Sequence, residues 1–247
     1  MTLSIFFPCY NDVYTIEGLV SEAECVAEEL ADDYEIIVVD DGSEDGCREL
    51  LKELERLHPK LEVVFHGKNR GYGGALRSGF SKSKMEFVFY TDGDGQYRPK
   101  ELKSLWKLMV PGVDVVNGYK TSRSDPLHRI LAGKLYLAVV RLMFGIKVRD
   151  VDCDFRLIRK RALSRVTLTQ DSGLICVELV KRMELAGYAI VESEVSHHPR
   201  RHGRSQFFRP RHILITCMGL IGLWWELVVR RDSPTRKGYV PSPRRES

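Results

Sequence analysis

Glu86-Phe87-Val88-Phe89-Tyr90-Thr91-Asp92-Gly93-Asp94-Gly95-Gln96 is an apolar run that delivers two carboxylates, two residues apart, into a glycine-bearing turn, with Pro99 shortly beyond. A short apolar run bounded by turn residues reads as a buried strand. In an open α/β sheet, the turn beyond a strand's C-terminal edge is where ligands bind. Two acids so close repel each other unless a cation lies between them, and hard divalent ions take oxygen ligands of this kind. A lone Asp-x-Asp is more often a plain acidic turn, so the surrounding sequence has to decide.

Upstream, residues 3–7 are expected as a strand ending at Pro8, and residues 15–30 as a helix with Ile16, Leu19, Val20, Ala23, Val26, Ala27 and Leu30 on one face. A strand over 35–39 ends in Asp40-Asp41-Gly42-Ser43, followed by a helix over 47–57 and a strand over 61–65. A glycine-rich turn, Asn69-Arg70-Gly71-Tyr72-Gly73-Gly74, leads into a helix over 75–83, with the fourth strand at 87–90. Downstream come a helix over 99–108, a strand over 113–117 and a helix over 127–144 on which Lys134 and Arg141 share a face. A strand over 156–158, a helix over 172–186 and a strand over 189–196 complete the pattern. Strands alternating with helices predict an α/β fold with a mainly parallel sheet covered on both faces.

The chain has 247 residues, with 29% charged and 43% hydrophobic, an ordinary globular balance. Its net charge of +4 is unevenly placed: residues 197–247 hold 11 Lys/Arg against 3 Asp/Glu. A basic end on an acidic body suits an anionic partner such as phosphate or a lipid head group. Residues 213–229 form an apolar run broken only by Thr216 and Glu226, with Trp224-Trp225 near its far end and Arg230-Arg231 closing it. Trp at an apolar boundary with flanking Arg predicts a membrane-interface or short membrane-inserted helix. The competing expectations are a helix buried in a homodimer or packed on the main domain. Three divisions follow: a catalytic domain over 1–210, the apolar helix over 211–231 and a disordered basic tail over 232–247. The six cysteines show no metal or C-x-x-C spacing, so reduced thiols and no zinc site are expected. No signal peptide is read at the N-terminus, which places the expected location on the cytoplasmic side of a membrane. No nucleic-acid partner is expected, because the basic cluster runs into an apolar helix and does not alternate with stacking aromatics.

Three acid-bearing turns fall at the same predicted sheet edge: Pro8-Cys9-Tyr10-Asn11-Asp12, Asp40-Asp41-Gly42-Ser43 and Asp92-Gly93-Asp94-Gly95-Gln96. Concentrating Asp12, Asp40, Asp41, Asp92 and Asp94 there is costly unless a metal or donor-rich ligand neutralises them. Gly71-Tyr72-Gly73-Gly74 is neither a Walker loop nor a dinucleotide fingerprint. It reads as close backbone packing beside a ligand, or as a purely structural turn.

The arrangement resembles the family 2 GT-A glycosyltransferases. Asn69-x-Gly71-x-Gly73-x-Ala75, Asp152-x-Asp154-Phe155-Arg156-Leu157 and Arg200-x-x-Gly203-x-Ser205 look like its polyprenyl-phosphate branch, the dolichyl-phosphate mannosyltransferase type. The resemblance covers residues 3–210 and implies a GT-A fold. The implied reaction moves a sugar from a nucleotide-sugar donor of the GDP-mannose or UDP-glucose kind to a polyprenyl or dolichyl phosphate, with inversion. Pro8, Tyr10, Asp12, Val39 and Asp41 would line the base and ribose, and Asp92, Gly93 and Asp94 would meet the ribose and diphosphate. Mg²⁺ or Mn²⁺ would sit on Asp94 and Gln96 with Asp92 close by, and Arg200 would bind phosphate. Two positions depart from the family pattern. Lys120 stands where Arg is frequent, which keeps the charge but loses the bidentate fork, and Gln206 stands where Lys is usual. An acceptor phosphate is already an anion, so no strong general base is required. A saccharide or other hydroxyl acceptor would need one, with Asp152 or Asp154 the candidates, and a non-catalytic subunit of the same fold is the remaining alternative. His197, His198 and His202 are read as surface or phosphate-contacting residues.

Overall fold

The computed structural model describes residues 1–121, 127–200 and 210–230. Seven strands form one sheet: β1 (Thr2–Cys9), β2 (Asp33–Asp40), β3 (Leu61–Phe65), β4 (Phe87–Thr91), β5 (Val115–Lys120), β6 (Phe155–Arg159) and β7 (Ile190–Val195). The helices are α1 (Ile16–Leu30), α2 (Cys47–Leu57), α3 (Tyr72–Lys82), α4 (Leu102–Leu108), α5 (Leu127–Phe144), α6 (Lys160–Leu163), α7 (Ile175–Leu185) and α8 (Pro210–Trp224). A 3₁₀ turn, Pro99–Glu101, precedes α4, and a π-helical turn, Trp225–Val229, continues α8.

The strand order is β3-β2-β1-β4-β6-β5-β7. All pairings are parallel except those of β6, which runs antiparallel to both β4 and β5. The sheet is mainly parallel, as the alternating pattern predicts. From β1 the chain winds outward through β2 and β3, then returns to place β4 on β1's other side. The crevice beyond β1 and β4 is therefore the point where the winding reverses, which is where such sheets hold ligands.

Side chains alternate across β1 with the strand period of two. Leu3, Ile5 and Phe7 face α1, α2 and α4, while Phe6 joins Ile37, Val39, Val88 and Tyr90 on the face covered by α3, α6 and α7. Gly79 lets α3 settle directly onto Phe6, since a Cβ there would stand 2.9 Å from the ring's Cγ and closer still to its edge. A third apolar cluster joins α5, α7 and α8 through Val140, Phe144, Val177, Val180, Leu220, Leu223 and Leu227. The 213–229 run thus packs on the main domain, and Glu226, which interrupts it, pairs with Arg182 at 2.6 Å. Among the described residues no helix is long and apolar enough to cross a membrane.

Several boundaries differ from the periodicity. Helix α3 starts at Tyr72, three residues before the expected start, because Gly71 takes a left-handed φ of 80° and Gly73-Gly74 continue as helix. Strand β5 extends to Lys120 because β7 pairs with it along its whole length. The short α6 was not expected. On α5 Lys134 and Arg141 are both exposed, and Arg141 also donates to the carbonyls of Val148 and Arg149 at 2.9 and 3.1 Å. Gln206, Gly203, Ser205, His202 and the tail over 232–247 lie outside the described residues.

Candidate active site

The segments that leave β1, β4 and β7 meet at the crevice. Gly93 N donates to Pro8 O at 3.1 Å, and Thr15 Oγ1 donates to Gly93 O at 2.6 Å. These contacts bind the Asp92–Asp94 turn to the β1 loop. Glycine is required at 93, because a Cβ there would lie 2.9 Å from Pro8 O and 3.3 Å from Asp12 Oδ2. That close approach sets Asp12 beside the Asp-x-Asp. Beyond β7, His198 N donates to Gln96 O at 2.8 Å, and Gln96 Nε2 donates to His198 O at 3.1 Å. This clasp carries Arg200 onto Asp94, where the two form an ion pair. Two residues 106 positions apart are joined only by tertiary structure.

The site's electrostatics follow from crowding. Burial, with Asp94 adding to it, raises the Asp12 carboxyl to about 7, against the opposing pull of the Tyr10 backbone N–H and Arg200. Burial, then Asp154 and Asp94, holds Asp92 well above the ordinary carboxylate range. Tyr72 donates its hydroxyl to Asp92 Oδ1 at 2.8 Å and works in the opposite direction. Such a cluster is short of positive charge, and oxygen donors are what a hard divalent ion takes. Among the described residues no three His, Cys, Asp or Glu side chains converge closely enough to form a metal cage on their own.

The five acids predicted to gather do not all gather. Asp12, Asp92 and Asp94 share the crevice. Asp40 instead lies 3.0 Å from Arg48 and accepts from Ser43 N. Asp41 Oδ1 accepts from His66 Nδ1 at 2.6 Å and from Arg70 N at 2.8 Å. The protein's own groups therefore meet those two charges. Val39 is fully buried and packs in the core, so its side chain does not line the crevice. Tyr10 is exposed at the crevice mouth, 39% accessible, which leaves its ring able to cover a base.

Lys120 is drawn elsewhere. Its Nζ donates to Asp152 O at 3.1 Å and lies 3.8 Å from Asp150 Oδ2. Burial, then Asp150, raises Asp152 to about 7. Asp154 accepts from Cys176 Sγ at 3.0 Å and lies 3.7 Å from Arg156. Arg156 is wholly buried, and its guanidinium bonds Tyr90 OH, Asn117 Oδ1 and Val151 O. Its charge is carried in an interior of oxygen acceptors, which makes it the anchor between β4, β5 and β6.

Sequence reasoning missed Tyr72 as a site residue. The glycines on either side were the available signal. A Cβ at Gly73 would stand 2.8 Å from the carbonyl carbon of Asp171, and the Gly71 position is equally tight. Both glycines seat the helix start against residues 170–171, and that contact aims Tyr72 at Asp92.

A profile described as glycosyl transferase family 2 matches residues 4–167. Among curated relatives, an undecaprenyl-phosphate 4-deoxy-4-formamido-L-arabinose transferase of Aeromonas hydrophila is 29% identical, covering 87% of this chain and 67% of its own length. Its counterpart in Pseudomonas fluorescens is 31% identical, over 87% and 64% respectively. The chain spans about two thirds of the length of these relatives. In backbone it is similar to glucosyl-3-phosphoglycerate synthase from Mycobacterium tuberculosis, solved with Mn²⁺, UDP and glucosyl-3-phosphoglycerate. There the TM-score is 0.65 at 19% identity, over 91% of this chain and 79% of that one. A complex of the same enzyme with Mg²⁺ and UDP gives 0.64 at 18%. This likeness establishes the GT-A fold.

Proposed function

The chain belongs to glycosyl transferase family 2, and from that premise we propose that it transfers a sugar from a nucleoside-diphosphate donor to a polyprenyl phosphate. The observation that carries the proposal is the junction of Asp92-Gly93-Asp94 with Asp12 and Arg200 at the β1/β4 crevice. The curated relatives are named for undecaprenyl phosphate and a formamido-arabinose. The proposed acceptor is accordingly undecaprenyl phosphate in preference to dolichyl phosphate, and mannose has no particular support as the sugar.

Asp94 and Asp92, with the amide oxygen of Gln96, would hold Mg²⁺ or Mn²⁺. Two carboxylates without a closed cage suit Mg²⁺, which is commonly held by one or two carboxylates together with substrate phosphates. The ion's service is to neutralise the nucleoside diphosphate as it leaves. The chain's own residues do the rest. Tyr72 holds Asp92 by its hydroxyl, and Gly93 keeps the turn tight against Pro8. Arg200 brings a guanidinium to the position where diphosphate charge develops, the kind of preorganised countercharge that lowers such barriers. Asp12 and the exposed Tyr10 border the side on which the nucleoside would lie. The acceptor phosphate brings its own negative charge, and attack opposite the leaving group would invert the anomeric centre.

A second reading has one observation in its favour. Asp152, raised to about 7, has the proton affinity of a general base, as a hydroxyl acceptor would require. Asp152→Asn separates the two readings: it abolishes transfer to a hydroxyl and leaves transfer to a phosphate largely intact.

Membrane contact is part of the proposal. Leu135, Val139 and Leu142 on α5, and Met218, Ile221 and Trp225 on α8 and its π turn, are exposed apolar side chains spaced along single helix faces. Lys134 and Arg230 are exposed beside them. Apolar faces edged by cations suit an anionic lipid surface.

The test incubates the protein with Mg²⁺ or Mn²⁺ and a panel of sugar nucleotides, with and without undecaprenyl phosphate. Mass detection of a glycosyl phosphate lipid supports the proposal. Donor turnover only with a non-lipid acceptor refutes it.

A further inference from the structure

A chain of polar contacts, buried at Arg182 and Glu178, runs from the C-terminal helix to the Asp92 turn. Glu226, in the π-helical turn, accepts from Arg182 Nη2 at 2.6 Å. Arg182 is 2% exposed and also donates through Nε to Glu178 Oε1 at 2.9 Å. Glu178, fully buried, turns its carboxylate to the loop before α7. It accepts from Thr169 N, Thr169 Oγ1 and Gln170 N at 2.8 to 3.1 Å. That loop presents its carbonyls to α3: Arg77 donates to Thr169 O and Gln170 O at 2.6 and 2.9 Å, and Gly73 N donates to Asp171 O at 2.9 Å. Tyr72, seated between the two glycines, then meets Asp92 at 2.8 Å.

A buried ion pair is weak support for stability, because desolvation offsets much of the attraction. One use that justifies retaining such a pair is geometric registry. Here a buried Arg is held by two acids from different helices, and one of those acids, Glu178, also accepts from the Thr169 and Gln170 amides of the loop. Glu226 lies within the π turn, and π turns are frequent at functional sites.

We propose that Glu226, Arg182 and Glu178 are positioning residues, a strut through which the seating of α8 sets Tyr72 against Asp92. The inference rests on the reading of Asp92 as part of the donor site, and it adds that the C-terminal helix governs that site's geometry from a distance. Glu226 is the place to cut, because Arg182 retains Glu178 when Glu226 is lost and no buried charge is left alone.

The experiment compares wild type, Glu226→Gln, Tyr72→Phe and the double variant. In the substrate-free protein, Glu226→Gln is expected to speed amide hydrogen exchange over residues 169–175 and 71–75 by roughly 2- to 30-fold, the range found for networked positions. Exchange in β1 and β2 should stay unchanged. In the transfer assay kcat should fall by a similar factor with donor KM held within about twofold, since the ground-state nucleotide contacts remain. The double variant should be no slower than the slower single variant, and Glu226→Asp should recover part of the loss. Unchanged exchange at 71–75 would overturn the strut, as would effects of the two single variants on kcat that simply multiply. Because exchange is read without substrate, an absence of transfer by wild type would count against the proposed function while leaving the strut to be judged on exchange.

Discussion

Gly73→Ala tests the packing that aims Tyr72. At most helical positions the change is favourable, by up to about 1 kcal/mol, because Ala is the better helix former. At Gly73 the new Cβ would stand 2.8 Å from the Asp171 carbonyl carbon and 2.9 Å from that of Gln170. Carbon atoms rest at about 3.5–4.0 Å, so one side must retreat by roughly 1 Å. The loop resists, since its amides are tied to the buried Glu178 carboxylate. Forced overpacking costs about 1–3 kcal/mol, and anchored main chain places this site at the upper end, for a net loss of about 2 kcal/mol. If α3 retreats instead, the 2.8 Å bond from Tyr72 to Asp92 opens, and a misplacement of about 1 Å can cost about 100-fold in rate. Gly18→Ala is the matched control. It lies exposed in α1 with nothing within 4 Å of its added Cβ, and it should gain about 0.5–1 kcal/mol. Urea denaturation read by circular dichroism, together with the transfer assay, measures both variants. A Gly73→Ala protein as stable as Gly18→Ala, with full transfer, would refute the reasoning.

Further outcomes follow from other parts of the molecule. Asp94→Asn should lower transfer by about 100- to 1,000-fold, the scale set by losing one preorganised electrostatic group, and a rate within threefold of wild type would remove Asp94 from the metal site. Asp152 rises from 3.8 to about 7 on folding, so the folded chain holds a proton that the unfolded chain has shed. Its contribution to stability is present below pH 4 and lost as pH climbs to about 7. Asp152→Asn should flatten that decline in a pH series of denaturation midpoints. Arg156→Met should cost about 3–5 kcal/mol, the usual result of breaking a buried charged network from one side, measured as a drop in the urea midpoint. Ile221→Asp changes a side chain that is 60% exposed, so folding should be unaffected. Its co-sedimentation with phosphatidylglycerol vesicles should fall by at least about tenfold, given the ~1.5–3 kcal/mol that burying an Ile supplies. Equal sedimentation would exclude α8 from the membrane contact.

Much of the site was legible because strand ends are local facts. The runs closing at Pro8, Asp40 and Thr91 mark the C-terminal edge of a parallel sheet, and loops at one edge of one sheet must lie near one another. The convergence of Asp12, Asp92 and Asp94 was expected on that ground, and the three carboxylates do share the crevice. The same reasoning placed Asp40 and Asp41 at that edge without showing their protein partners, and it did not concern Lys120, which came from the family resemblance. A residue's presence at an edge does not say which partner reaches it first, and Arg48, His66 and the Asp150–Asp152 segment are brought there by other elements.

What the sequence alone determined is therefore the α/β order, the parallel sheet and the acid pair that the fourth strand delivers. Hydrophobic period and turn chemistry act over a few residues and need no knowledge of the rest of the chain. Only the tertiary structure decided that Tyr72 backs Asp92, that Arg200 closes on Asp94 across 106 positions and that the apolar C-terminal helix packs on the domain through an ion pair. Those are contacts between elements. Their geometry depends on how sheet, glycines and buried charges are packed at once, which no local pattern records.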